Sequence, residues 1–196
     1  MTRSLRTATT ATMLLAGLGL AHAAHAQSGS TKGLFAGIQY SGTSVSVKSA
    51  AQDLEFGNGF GLHAGLGLSD NVSVLVNFDR SVLTGSDNAQ DVKLTQYDAL
   101  LRFNVLPGAG SPLRLFVTAG ATGRTANAGR DFDGIAPTGG AGVHLYVTPK
   151  IALNGTALWT FGNLTRASQL SNRTDETLRS TATRVQAGVS LYLFSR

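Results

Sequence analysis

Along much of the chain, apolar residues alternate with small or polar ones at a period of two. Val72, Val74, Val76 and Phe78 are apolar, and Ser73, Asn77 and Asp79 lie between them. A period of two places successive side chains on opposite faces of a β-strand. The pattern returns eight times and predicts strands over 32–47, 57–68, 72–83, 92–105, 112–123, 138–147, 151–162 and 179–194. The apolar face runs, for example, through Leu34, Ala36, Ile38 and Tyr40, through Tyr97, Ala99, Leu101, Phe103 and Val105, and through Val185, Ala187, Val189, Leu191 and Leu193. Ser69-Asp70-Asn71, Pro107-Gly108-Ala109-Gly110 and Thr148-Pro149-Lys150 are turn signals.

One face of every strand suits hydrocarbon and the other suits a polar interior. The expected fold is therefore all-β, an eight-stranded antiparallel up-and-down transmembrane β-barrel. At ~3.3 Å per residue and ~40° of tilt, eleven residues rise about 28 Å, near the ~25 Å apolar band of such barrels. Connections after strands 2, 4 and 6 read as short and those after 1, 3, 5 and 7 as longer. That places both termini in the periplasm. Tyr40, Phe60, Phe78, Tyr97, Trp159 and Phe161 fall on the apolar face near one end of their strands. Aromatic rings gather in this way at a membrane interface, here as an outer aromatic girdle.

The first residues have a different character. Arg3 and Arg6 precede the apolar run 13–20, and Ala24-His25-Ala26 fits a small-x-small cleavage site. Residues 1–26 are therefore expected to be a cleaved signal peptide, and 27–196 a single barrel domain. Removing Arg3 and Arg6 leaves 14 basic and 11 acidic side chains, a net +3. Lys and Arg are scattered rather than gathered in a stripe, which argues against nucleic acid. Charged residues make up 14% of the chain, low for a soluble protein, where about 25% is usual. There is no cysteine, which excludes disulfides, thiolate metal sites and a lipidated cysteine. No apolar run reaches the ~18 residues that a spanning helix needs.

Gly33-Leu34-Phe35-Ala36-Gly37, the segment 65–71 and the ending Ala187-Gly188-Val189-Ser190-Leu191-Tyr192-Leu193-Phe194 resemble the small outer-membrane β-barrels of OmpA and OmpX type. The resemblance covers the whole mature chain. It implies a Gram-negative outer-membrane location. It also implies barrel-assembly machinery that reads a C-terminal aromatic strand, with periplasmic chaperones during biogenesis. Tyr192 and Phe194 would supply those aromatics, yet Val189, Leu191 and Leu193 form the stronger apolar face. The last strand's register is thus open by one residue. No peptidoglycan-binding domain is implied.

The other face supplies the candidate chemistry. Asp79, Asp98, Arg102, Arg114, Arg184, His63 and His144 are expected inside, as a polar network or as a pore lining. Gln39, Asn77, Asn104, Asn154 and Gln186 accompany them. Charges in a narrow barrel must be paired or hydrated. Inward Gly61, Gly65, Gly120, Gly142 and Gly188 suggest unfilled volume and so favour a wetted path. Inward Arg exceeds inward Asp, so a pore would prefer anions. Neither histidine has a convergent ligand set, so no metal or other cofactor is expected. Some barrels of the resembled group modify lipid A. Their deacylases carry a His-x-Ser pair, whereas His63 precedes Ala64-Gly65 and His144 precedes Leu145-Tyr146. The Gly-rich stretches 57–67 and 139–142 lack the strand-to-helix context of a phosphate loop. The polar loop 163–178 carries Arg166 and Arg173, suited to lipopolysaccharide phosphates. The sequence thus favours a non-catalytic, monomeric barrel with an envelope-structural or surface role, in contact with outer-membrane lipid and lipopolysaccharide. A narrow anion-preferring, porin-like channel is second, and a lipid-modifying enzyme third.

Overall fold

The computed structural model describes residues 31–47, 54–84, 91–105, 111–127, 131–166 and 176–193. The expected signal peptide, the breaker cluster 107–110 and most of the last loop lie outside the described residues. Eight strands run as β1 (Gly33–Val47), β2 (Leu54–Gly67), β3 (Val72–Leu83), β4 (Val92–Asn104), β5 (Leu113–Asn127), β6 (Asp131–Thr148), β7 (Ile151–Arg166) and β8 (Glu176–Tyr192). Each pairs antiparallel with the next, and β8 pairs with β1, which closes the barrel. Closure leaves no sheet edge with unpaired backbone groups, a condition for crossing hydrocarbon on strands.

The period of two becomes two surfaces. In β3 and β4, buried and exposed positions alternate almost without interruption. Leu34, Ile38, Leu62, Val76, Leu101, Val117, Leu153 and Val189 lie bare on the outside. Such an apolar exterior would be untenable in water and is what lipid requires. The turn at 68–71 and the turn at Pro149-Lys150 use one device. Ser69 Oγ accepts from the backbone N–H of Asn71 and Val72, and Thr148 Oγ1 from those of Lys150 and Ile151. Gly33 takes a positive φ of 101° where the chain enters β1, a conformation that a side chain would strain.

Three expectations change. The strands of the second half are longer than predicted: β6 starts at Asp131, β7 ends at Arg166 and β8 starts at Glu176. Pro137 lies inside β6 despite its missing N–H, and the β6–β7 ladder skips from Asp133 to Thr138 around it. The outward residues of these extensions include polar Thr125, Asp133 and Asn163 beside the apolar Ile135, so the ladder continues beyond the lipid band. Only residues 128–130 separate β5 from β6, while 105–112 separate β4 from β5, so the short–long alternation is incomplete. Finally, Tyr192 is buried inside and Leu191 and Leu193 face out, which settles the register of the last strand. Tyr192 packs on Phe35 of β1 and is not an outward C-terminal aromatic.

Candidate functional site: the barrel interior

The six girdle aromatics are all exposed on the outer wall, from Phe78 at 37% to Phe60 at 73%. Tyr40 and Phe60 are cross-strand partners with ring centroids 5.3 Å apart, as are Phe78 and Tyr97. They mark one end of the barrel, the girdle end. The opposite end carries the 68–71 and 149–150 turns. There Thr31 Oγ1 and Asn104 Nδ2 donate to the Asp70 carbonyl at 2.8 and 2.6 Å, folding that turn against the barrel base.

All seven candidate interior residues, Asp79, Asp98, Arg102, Arg114, Arg184, His63 and His144, are buried inside the wall. They form layers. Near the turn end, Phe35, Leu75, Leu100, Tyr146, Ala152, Leu158 and Tyr192 make an apolar cluster. Arg102 sits against it, its guanidinium carbon 4.4 Å from the Phe116 ring centroid and 5.7 Å from that of Phe35. Its Nη1 donates to His144 Nε2 at 3.0 Å. A guanidinium has no acceptor, so Nε2 must accept and the His144 proton rests on Nδ1. Arg114 lies 5.4 Å from the Tyr146 ring centroid. These inward aromatics escaped the sequence reading, which assigned rings to the lipid face. Their even or odd positions, matched to those of polar neighbours such as Arg114 and His144, were the available signal.

The middle layer is polar. Arg184 of β8 donates to Asp98 of β4, and the two side chains are 2% and 0% exposed. These strands are four apart in a ring of eight, so the ion pair crosses the lumen. Asp98 also accepts from Asn77 Nδ2 at 3.1 Å and Thr122 Oγ1 at 2.7 Å. Arg184 donates as well to Gln96 Oε1 at 3.1 Å. Asp79 accepts from Ser41 at 2.8 Å, Ser81 at 3.0 Å and Gln186 at 3.4 Å. Above this layer a second apolar cluster, Val45, Leu83, Val92, Leu94, Ala126 and Ala182, lies toward the girdle end.

Two findings revise the sequence reading. The inward glycines do not leave open space. A β-carbon on Gly65 would meet the Phe35 ring at 2.4 Å, and one on Gly142 the Phe116 ring at 2.5 Å. Each ring belongs to that glycine's cross-strand partner. Gly61 and Gly188 similarly accommodate Gln39, while Gly120 abuts the β4 backbone. Second, the histidine–serine proximity that adjacent residues lack arises over Gly37 of β1, where His63 Nε2 on β2 and Ser190 Oγ on β8 lie 2.8 Å apart. Asn154 Nδ2 donates to the same hydroxyl at 3.0 Å. His63 Nδ1 has no partner, so no acid orients the ring.

Known structures share this architecture. The structure of Neisserial surface protein A is similar at a TM-score of 0.65 and 18% identity, covering 83% of this chain and 98% of that one. The outer membrane protein OprG from Pseudomonas aeruginosa matches at 0.58 and 13%, over 83% and 97% of the two chains. The outer membrane protein AlkL matches at 0.58 and 14%, over 87% and 94%. No curated protein sequence matches significantly. The sequence model of the outer membrane protein β-barrel domain matches residues 13–192, nearly the whole chain, and the chain belongs to that outer-membrane family.

Proposed function

We propose that the protein is a non-catalytic, plugged outer-membrane barrel that acts through its wall and rim in the envelope, in contact with lipid and lipopolysaccharide. The reading rests on the Asp98–Arg184 pair, which bridges opposite walls of the lumen between two apolar layers. Among the described residues, a buried ion pair across the lumen and the rings packed beside it leave little room for water, which supports a plug. Contact with lipopolysaccharide phosphates is supported by outward Arg80, Lys93 and Arg179, which lie beyond the girdle toward the strand ends. A wall hollow of about 420 Å³ beside Arg179 is lined also by Phe161, Asn163 and Thr181, ring below and polar groups above. Guanidinium groups bind phosphate well in such settings. The signal peptide and assembly machinery inferred from the sequence belong to the same reading.

Catalysis is disfavoured because the His63–Ser190 pair is buried, faces away from lipid and lacks an orienting acid. A narrow anion-preferring channel is the second reading. One observation favours it: among the described residues four buried arginines, Arg102, Arg114, Arg124 and Arg184, face two buried aspartates, Asp79 and Asp98. Swelling of liposomes containing the protein separates the two. Swelling in small sugars and amino acids should match that of protein-free liposomes. Swelling that rises with protein content and falls with solute size would favour the channel.

A further inference from the structure

Among the described residues, Arg124 of β5 is the inward cation left without a partner. The sequence reading ended this strand at 123, although Arg124 shares the parity of inward Arg114 and Thr122. It is 3% exposed, and its Nε, Nη1 and Nη2 all lack an acceptor. The other three inward arginines are engaged: Arg184 by Asp98 and Gln96, Arg102 by His144 and two rings, and Arg114 by the Tyr146 ring and the Asp70 carbonyl. Among the described residues the two buried carboxylates are occupied elsewhere, Asp98 by Arg184, Asn77 and Thr122, and Asp79 by Ser41, Ser81 and Gln186.

The two cross-strand partners of Arg124 offer it one free donor and no free side-chain acceptor. Gln96 is the cross-strand partner of Arg124. Its Oε1 is taken by Arg184, and its Nε2 is buried with no partner. On the other side Arg124 pairs with Gly134, which offers no side chain. Nη2 lies 3.5 Å from where a β-carbon on Gly162 would stand. Gly123, next in sequence, pairs with the girdle residue Tyr97, so the site lies on the girdle side of the cross-lumen ion pair, just below Leu94 and Ala126 of the second apolar cluster.

We propose that Arg124, with Gln96 Nε2, binds a small free oxyanion of the phosphate or sulfate class at the girdle side of the polar layer, beneath the second apolar cluster. A buried guanidinium without a counter-charge is strongly unfavourable, and an anion removes that cost. The planar fork offers two parallel N–H groups to an oxyanion, a match that a spherical ion does not make. Binding requires entry past the second apolar cluster but no path through the layer at the turn end, so it does not depend on whether the lumen conducts.

The test is calorimetric titration of the purified protein, folded in a phosphate-free detergent, with inorganic phosphate at constant ionic strength set by chloride. The expected result is saturable binding of one phosphate per barrel, competed by sulfate. Arg124→Gln should weaken it by about tenfold or more, the loss of a charge-assisted hydrogen bond. Lys150→Gln, in the exposed turn at the opposite end of the barrel, should leave it unchanged. Arg124→Lys keeps the charge without the fork and should bind more weakly than the native protein; it serves if Arg124→Gln does not fold. No saturable binding, equal competition by chloride, or binding retained in the Arg124 variants would overturn the proposal.

Discussion

Asp98 receives hydrogen bonds from three other strands: from Arg184 on β8, Asn77 on β3 and Thr122 on β5. Removing it leaves a guanidinium buried without its counter-ion. Asp98→Leu should therefore destabilise the folded barrel by about 3–5 kcal/mol, whereas Asp98→Leu with Arg184→Leu together should recover most of that loss. Urea unfolding in lipid vesicles measures both, and equal destabilisation by the single and double changes would contradict the pairing. That Asp98 and Arg184 face inward was legible from parity alone. That they meet was not, because contact across the lumen depends on their relative height, which is set by the register of all the strands between them. The same limit hid the His63–Ser190 contact, made between residues 127 positions apart.

For the strands, the alternation was legible wherever one face met lipid, and β3 was predicted with the bounds it has. The misses cluster where β5 to β8 continue past the girdle into water. There the outer face turns polar and the signal weakens, and Pro137 adds a residue that usually marks a strand's end. The contrast gives a depth test. Leu101 faces lipid well inside the girdle, while Thr95 lies beyond Tyr97 on the same strand. Leu101→Arg should cost about 2–4 kcal/mol and Thr95→Arg about 0–1 kcal/mol in vesicle unfolding. Comparable costs at the two positions would contradict the assigned lipid band. Inside, the glycine–ring pairs are a packing device and not a source of space. Gly142→Ala should cost about 1–3 kcal/mol by forcing the Phe116 ring and the β7 backbone apart. Neutral behaviour of that variant would mean the space is open.

Considered whole, the molecule closes an apolar wall around an interior of apolar, polar and again apolar layers. The wall suits it to the outer membrane of its family, and the interior decides whether it conducts. Composition and periodicity conveyed the wall, because lipid imposes one rule on every strand. They conveyed the interior only as a set of residues, since rings such as Phe35 and Phe116 fill glycine positions on other strands. The inward glycines consequently pointed toward a pore, and the packed structure points toward a plug. Single-channel recording of the refolded protein in planar bilayers addresses this most directly, with an unboiled gel to confirm folding. The native barrel should be silent, with discrete openings only when Asp98 and Arg184 are both replaced by alanine. Regular conductance steps from the native protein, with a preference for anions, would contradict the plug.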